Sequence, residues 1–292
     1  MFVRRIANLV RIIGLLSVAV ALAGCSAIKL GYNSVPQVSV WWLDGYLDFT
    51  DDQEQRARED LSRLHQWHRR QELPKLGVLL QQAERMVANE MTADEVCALV
   101  PPIRLRLAAI AGQAEPAAVT LALVLQPEQL THLQRKYEKN NREYRKDWVD
   151  LPTQDRRDKQ FKQYVDRIET FYGRLEDSQR DVIRSQVERG VFNAETNLRE
   201  RRRRQQDILQ TLRKLAGQPV SLPDARSAIH QLVERALRSP DPTYRSYEEA
   251  LVRHGCEILA AVHQSTTPQQ RQSAVRRLRA YQRDLDELAA EP

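Results

Sequence analysis

Five short segments of this chain place a Gln or Glu three residues after a residue that can open a helix. They are Phe49-Thr50-x-x-Gln53, Met91-Thr92-x-x-Glu95, Leu125-Gln126-x-x-Gln129, Leu175-Glu176-x-x-Gln179 and Thr266-Thr267-x-x-Gln270. A Thr at the N-cap accepts from the amide three residues on, and a Gln or Glu there reaches back to the N-cap amide. Thr50, Thr92 and Thr267 can supply both halves of this capping box. Met91 with Val96, and Leu125 with Leu130, stand at the spacing of a hydrophobic staple. Pro127 and Pro268 fall at the first helical position, where a missing N–H costs nothing. So many fixed helix starts leave little chain for sheet. No run alternates apolar and polar β-branched residues, and the good helix formers Arg, Gln, Glu, Leu and Ala are abundant. The expected fold is all-α, an elongated multi-helix bundle.

Apolar stripes support helices that pack on one another. Ala274, Leu278, Tyr281, Leu285 and Leu288 step by four and three, which sets them on one face. Leu130, Leu133, Tyr137, Tyr144 and Trp148 form a second stripe. Phe161, Tyr164, Ile168, Phe171, Tyr172 and Leu175 form a third. All three read as core. Pro74, Pro101-Pro102, Pro116, Pro127 and Pro152 mark starts, kinks or ends, because proline lacks the donor and clashes inside a helix. Gly217-Gln218-Pro219 and Ser239-Pro240-Asp241-Pro242 read as loops, and 217–223 is a candidate subdomain boundary.

The N-terminus reads as a targeting segment. Arg4, Arg5 and Arg11 precede the apolar stretch Ile12–Ala23, which is shorter than the ~20 residues a bilayer span needs. It ends Leu22-Ala23-Gly24-Cys25, which resembles the bacterial lipobox. That resemblance implies cleavage before Cys25 and a diacylglyceryl group on its thiol, with acylation of the new amine. Two or more chains suffice for stable anchoring. Ser26 rather than Asp at the next position implies sorting to the outer membrane, with the body in the periplasm. Residues 1–24 are then signal peptide, 25–36 the lipidated Cys and a tether without helical period, and 37–292 the helical domain.

Cleavage changes the charge balance. The 292-residue chain carries 45 Lys and Arg against 39 Asp and Glu, a formal +6 that points toward nucleic acid. Residues 1–24 hold three arginines and no acid, so the mature 268 residues carry 42 basic and 39 acidic groups, a formal +3. Export removes the nucleic-acid partner. Three cysteines exclude a disulfide-rich scaffold and a four-cysteine zinc ribbon. With Cys25 taken by lipid, Cys97 and Cys256 form one disulfide or stay as two buried thiols.

Candidate chemistry is sparse. His65, His68 and Glu72 fall on one helix face and could contribute ligands to a transition metal, although Arg69 and Arg70 beside them repel a cation. The alternative pairs His68 with Glu72 beside a packing Trp67. Nucleophile elbows, phosphate-cradling glycine loops, His-Glu-x-x-His and Cys-x-x-Cys are all missing from the sequence. No catalytic residue is assigned, and no cofactor beyond the covalent lipid. The run Arg199, Arg201, Arg202, Arg203 and Arg204 is the densest basic feature. It offers a patch for anionic lipid, lipopolysaccharide phosphates or acidic client segments, or else a solvated helix face. Trp41, Trp42 and Tyr46 read as seeds of core packing with Phe49 and Leu61, or as membrane-interface aromatics.

Two family resemblances follow. The Thr-x-x-Gln starts are similar to the Leu-Thr-x-x-Gln motif of the Spy-like periplasmic chaperones, which implies the cradling of unfolded clients. The segments Trp41-Trp42-Leu43-Asp44-Gly45-Tyr46-Leu47-Asp48 and Trp67-His68-Arg69-Arg70-Gln71-Glu72-Leu73-Pro74 complete a second likeness, together with the lipobox and the capped helices. This pattern over residues 22–290 resembles Gram-negative lipoproteins known only as a domain of unknown function. It implies an all-helical periplasmic fold and assigns no site. The expected function is a non-enzymatic helical interaction or chaperone-like envelope protein. The alternatives are a metal or stress sensor on His65, His68 and Glu72, and a cell-wall enzyme with an unrecognised site.

Overall fold

The computed structural model describes residues 28–217 and 219–291. Their regular structure is a short helical run at 28–33, twelve further α-helices and one π-helical turn, with no strand among them. The first six helices are α1 (Val35–Leu47), α2 (Asp51–Gln71), α3 (Leu73–Ala88), α4 (Ala93–Ala98), α5 (Val100–Ala122) and α6 (Pro127–Tyr144). The π-turn Arg145–Val149 follows α6. The remainder are α7 (Thr153–Tyr172), α8 (Asp177–Glu188), α9 (Ala194–Ala216), α10 (Leu222–Leu237), α11 (Pro242–Gln264) and α12 (Pro268–Ala290). The chain is an all-α multi-helix bundle, and no described helix is long and apolar enough to cross a membrane.

Each of the five recurring starts opens a helix. Thr50, Thr92 and Thr267 accept from the amides of Gln53, Glu95 and Gln270 at 3.4, 3.2 and 3.2 Å. In all five, the third residue on accepts from the amide that precedes the helix, at 2.8 to 3.2 Å. Four of the five then do more than cap. Gln53 and Gln129 pair through their carboxamides at 2.7 and 3.2 Å, and Gln179 pairs with Gln270 at 2.8 and 2.9 Å. Each glutamine nitrogen also donates to the carbonyls that end the facing corner. Gln53 reaches Val124, Gln129 reaches Leu47 and Asp48, Gln179 reaches Ser265, and Gln270 reaches Arg174.

Two four-helix units therefore share one plan. In the first, the α1–α2 corner faces the α5–α6 corner; in the second, the α7–α8 corner faces the α11–α12 corner. The four glutamines are buried, and the crossing satisfies helix-end carbonyls that would otherwise be stranded away from water.

Apolar packing follows these units. Leu47, Leu125, Leu130, Leu133 and Leu209 form one core, flanked by Tyr137. Val165, Ile168, Tyr172, Leu175, Ile183, Ile258 and Val262 form another, flanked by Phe161, Tyr164 and Phe171. Ala274, Leu278 and Leu288 of α12 are buried, and α12 packs most extensively on α3. A third core joins Val119 and Ala122 of α5 to Leu215 of α9 and Ala225 and Ile229 of α10. It packs α9 against α10 on either side of the 217–223 segment.

Pro116 lies inside α5, which continues through it to Ala122. One expectation changes. The tether expected over residues 26–36 is helical at 28–33 and leads into α1. Tyr32 and Asn33 are tied to α2 and to Glu291 near the other end of the chain. Residues 1–27, with Cys25 and Ser26, lie outside the described residues.

Candidate functional site

A largely apolar opening lies between α2 and α5. It is a cavity of about 380 Å³ lined by Leu43 of α1, Ala57, Leu61 and Leu64 of α2, and Ala114, Ala117, Ala118 and Leu121 of α5. The alanines leave the space, because a larger side chain at any of them would fill it. The floor meets Gln53, whose carboxamide is held by Val124 and Gln129. Arg56, Asp60 and Arg63 line its polar side, and Arg63 pairs with Asp60. The composition is a trough for apolar groups with cationic residues at its margin. The sequence signal is subtle: α5 is apolar around most of its circumference, with Ile103, Leu105 and Leu107 exposed, as expected of a helix that needs covering.

A wider cleft of about 650 Å³ is lined by Ala88, Thr266, Arg271, Gln272, Arg276 and Arg279. Arg271 pairs with Glu90 at 3.0 Å and Arg279 with Glu84 at 2.7 Å, so most of its charge is balanced.

The histidine–glutamate set does not assemble. His65 Nε2 donates to the Tyr32 carbonyl at 3.0 Å, and His68 Nδ1 meets the Tyr32 hydroxyl at 2.9 Å. The Tyr32 and His65 rings lie 4.4 Å apart, and Arg69 sits over the same tyrosine. Glu72 is fully buried at the α2–α3 joint, bound by Lys75 at 2.7 Å and Arg106 at 3.3 Å. Among the described residues, no group of three or more His, Cys, Asp or Glu could hold a metal. The two histidines clamp the 28–33 segment onto α2. The alternative pairing of His68 with Glu72 is replaced by these bonds.

The arginine run also divides. Glu200 lies inside it and is buried, taking Arg203 in a bidentate pair at 2.8 and 2.9 Å and Arg204 at 2.8 Å. Arg203 also bonds the Arg235 carbonyl, while Arg201 and Arg204 lie over Tyr144 and Tyr244. Only Arg199 and Arg202 of the five are exposed. Two arginines of the expected anionic-partner patch are therefore tied up within the protein, because the i+3 and i+4 spacing brings Arg203 and Arg204 onto Glu200. Cys97 of α4 and Cys256 of α11 are joined as a disulfide, with Cα atoms 5.6 Å apart.

Burial holds the pKa of His65, His68 and His263 below the ordinary histidine value. His263 is fully buried; its Nε2 donates to the Asn89 carbonyl at 2.7 Å, which leaves Nδ1 to accept from the Tyr172 hydroxyl at 2.9 Å. That hydroxyl is itself pushed up to about 12 by burial. A histidine depressed in the folded state binds its proton more readily when unfolded. Its stabilising contribution is complete above the unfolded value near 6.5 and is lost as pH falls below it. The melting temperature is expected to drop between pH 7.5 and 5.5. His263→Gln should flatten that slope; an unchanged slope in the variant would show that other groups set it.

A family model described as a family of unknown function, DUF6279, matches residues 45–235, well over half of the chain. The chain belongs to DUF6279. The match takes in the α2–α5 cavity except Leu43, and the Gln53–Gln129 corner, together with Gln179 but not its partner Gln270. It is narrower than the 22–290 span of the sequence likeness: the lipobox, Trp41, Trp42, Cys256 and α12 fall outside it. No curated protein and no solved structure matches the chain.

Proposed function

We propose that this DUF6279 chain is an outer-membrane-anchored periplasmic lipoprotein, held by lipid on Cys25. It acts without catalysis as a helical interaction or chaperone-like protein of the envelope. The observation that carries the reading is the cavity between α2 and α5, apolar along its walls and margined by Arg56 and Arg63. An extended apolar segment of an unfolded envelope protein suits such a trough, and an acidic residue flanking it would meet Arg56, since Arg63 is paired with Asp60. The Leu22-Ala23-Gly24-Cys25 segment supports the anchor.

Oxidised mature protein is expected to slow the aggregation of a chemically unfolded client at near-stoichiometric ratios. Ala114→Trp with Ala117→Trp should fill the cavity and weaken that protection about fivefold or more, with the melting temperature little changed. Each buried apolar side chain that the client loses from the trough is worth roughly 1.5–3 kcal/mol, which makes such a loss readily measurable. Protection that survives filling, or none from the wild-type protein, would overturn the cavity as the client site.

A further inference from the structure

The opening helix presents a second apolar surface, unrelated to the cavity. Trp41 and Trp42, which with Phe49 and Leu61 read as seeds of core packing, are 73% and 53% exposed, with Val38 at 55% and Val35 at 45%. Successive helical residues turn by about 100°, so these four fall within roughly 120° of α1's circumference. Val40 and Leu47, which are buried, point the opposite way. The helix is thus apolar on both sides: one side seals onto the bundle and the other faces outward. Leu30, in the preceding helical run, is 71% exposed. Between Pro36 and Leu43 no residue is charged. Asp44, the first acid after that stretch, uses a carboxylate oxygen to accept from the Phe49 amide at the far end of the helix.

We propose that this face of α1 lies in the headgroup region of a phospholipid bilayer, with the indoles of Trp41 and Trp42 at the polar–apolar boundary. Three observations select lipid over a protein surface. Tryptophan is the side chain that favours that boundary, because one edge of its ring is apolar and its N–H can stay wet. The face carries no charged group of its own to set register against a protein partner. It also begins close to the N-terminal apolar stretch. Leu30 is five residues from Cys25, at most about 18 Å of extended chain. Whatever membrane holds that N-terminus holds α1 against its surface.

The 28–33 segment, pinned by His65, His68 and Arg69, makes this orientation rigid. A flexible tether would let the bundle tumble at the end of its lipid. A docked α1 instead fixes which side of the bundle faces the bilayer. The inference rests on the proposed membrane anchor for its biological setting, but its test needs no lipid on the protein.

The protein for the test is residues 25–292 with Cys25→Ser, oxidised, and with Trp67→Phe and Trp148→Phe so that only Trp41 and Trp42 emit. The three apolar cores use no residue before Tyr46, so this chain retains the whole fold. Mixed with phosphatidylethanolamine–phosphatidylglycerol vesicles, it should shift its emission to the blue, float with the vesicles and be quenched by brominated acyl chains. Trp41→Ser with Trp42→Ser should weaken flotation at least tenfold and leave the helical circular dichroism unchanged. Emission unmoved by vesicles would overturn the inference. So would a blue shift that is already present without lipid and grows with protein concentration, since that would make a second copy the occupant. Failure of the anchor itself is read separately, as wild-type protein purified from membranes whose mass shows no acyl chains on Cys25.

Discussion

Replacing Cys97 and Cys256 together by alanine is expected to cost about 4–5 kcal/mol and to lower the melting temperature by about 10–15 °C. The bond joins residues 159 apart in sequence, so it removes a large share of the unfolded chain's freedom. In the chain-entropy account a loop of this length contributes about 5 kcal/mol, with native strain and residual structure subtracting from it. Local structure sharpens the expectation. The α4 helix has six residues, none of them buried, and cannot hold itself in place by apolar contact. It is bound to α11 by the disulfide and by the Arg253–Asp94 ion pair, both near the middle of α11. Hydrogen exchange should therefore quicken first in α4 and the adjoining ends of α3 and α5. Each single variant should lose as much as the double, because either one abolishes the bond. Oxidised and reduced wild-type protein melting within a degree of each other would sink the prediction.

Much of the architecture is legible in local sequence because helix starts are local. Thr50, Thr92 and Thr267 cap within three residues, so their bonds depend on no distant partner. The three apolar stripes likewise report burial through a periodicity that sequence displays directly. What sequence hides is which face meets which. The nearness of Phe49 and Leu61 favours core for Trp41 and Trp42, but α1 seals onto the bundle through Val40 and Leu47 on its other side. His65 and His68 share a face as expected, yet what that face meets is Tyr32, thirty-odd residues earlier. Arg201–Arg204 looks like a surface charge until Glu200, one residue away, claims two of them. The cavity is invisible for the same reason. Its alanines are ordinary helix formers on α5, and only the approach of α2 makes the space between them a trough.

The glutamine corners give the second large effect. Gln179→Ala removes a cap on α8 and leaves the Ser265 carbonyl and both ends of the Gln270 carboxamide short of a partner in a buried site. Each unsatisfied buried group costs about 1–3 kcal/mol and a lost cap about 1, so a total near 3–4 kcal/mol is expected. The melting temperature should fall by about 8–12 °C. Gln270→Ala should cost a similar amount, for the mirrored reason that Arg174 and Gln179 lose their partner. The double variant should cost much less than the sum, with a coupling of about 1–2 kcal/mol, because the first substitution already breaks the pair. Gln53 and Gln129 should behave the same way. Combining Gln53→Ala with Gln179→Ala should be additive within about 0.5 kcal/mol, since the two corners share no hydrogen-bond partner. Glu95 provides the internal control: it makes the same capping box but sits on the surface, and among the described residues its side chain bonds only Thr92. Glu95→Ala should therefore move the melt far less than any of the four glutamines. Equal losses at all five positions would mean that these residues act as caps alone and that the crossed carboxamides add nothing. A coupling confined to the Gln53–Gln129 and Gln179–Gln270 pairs would instead identify each crossing as the joint that fixes how its two corners meet.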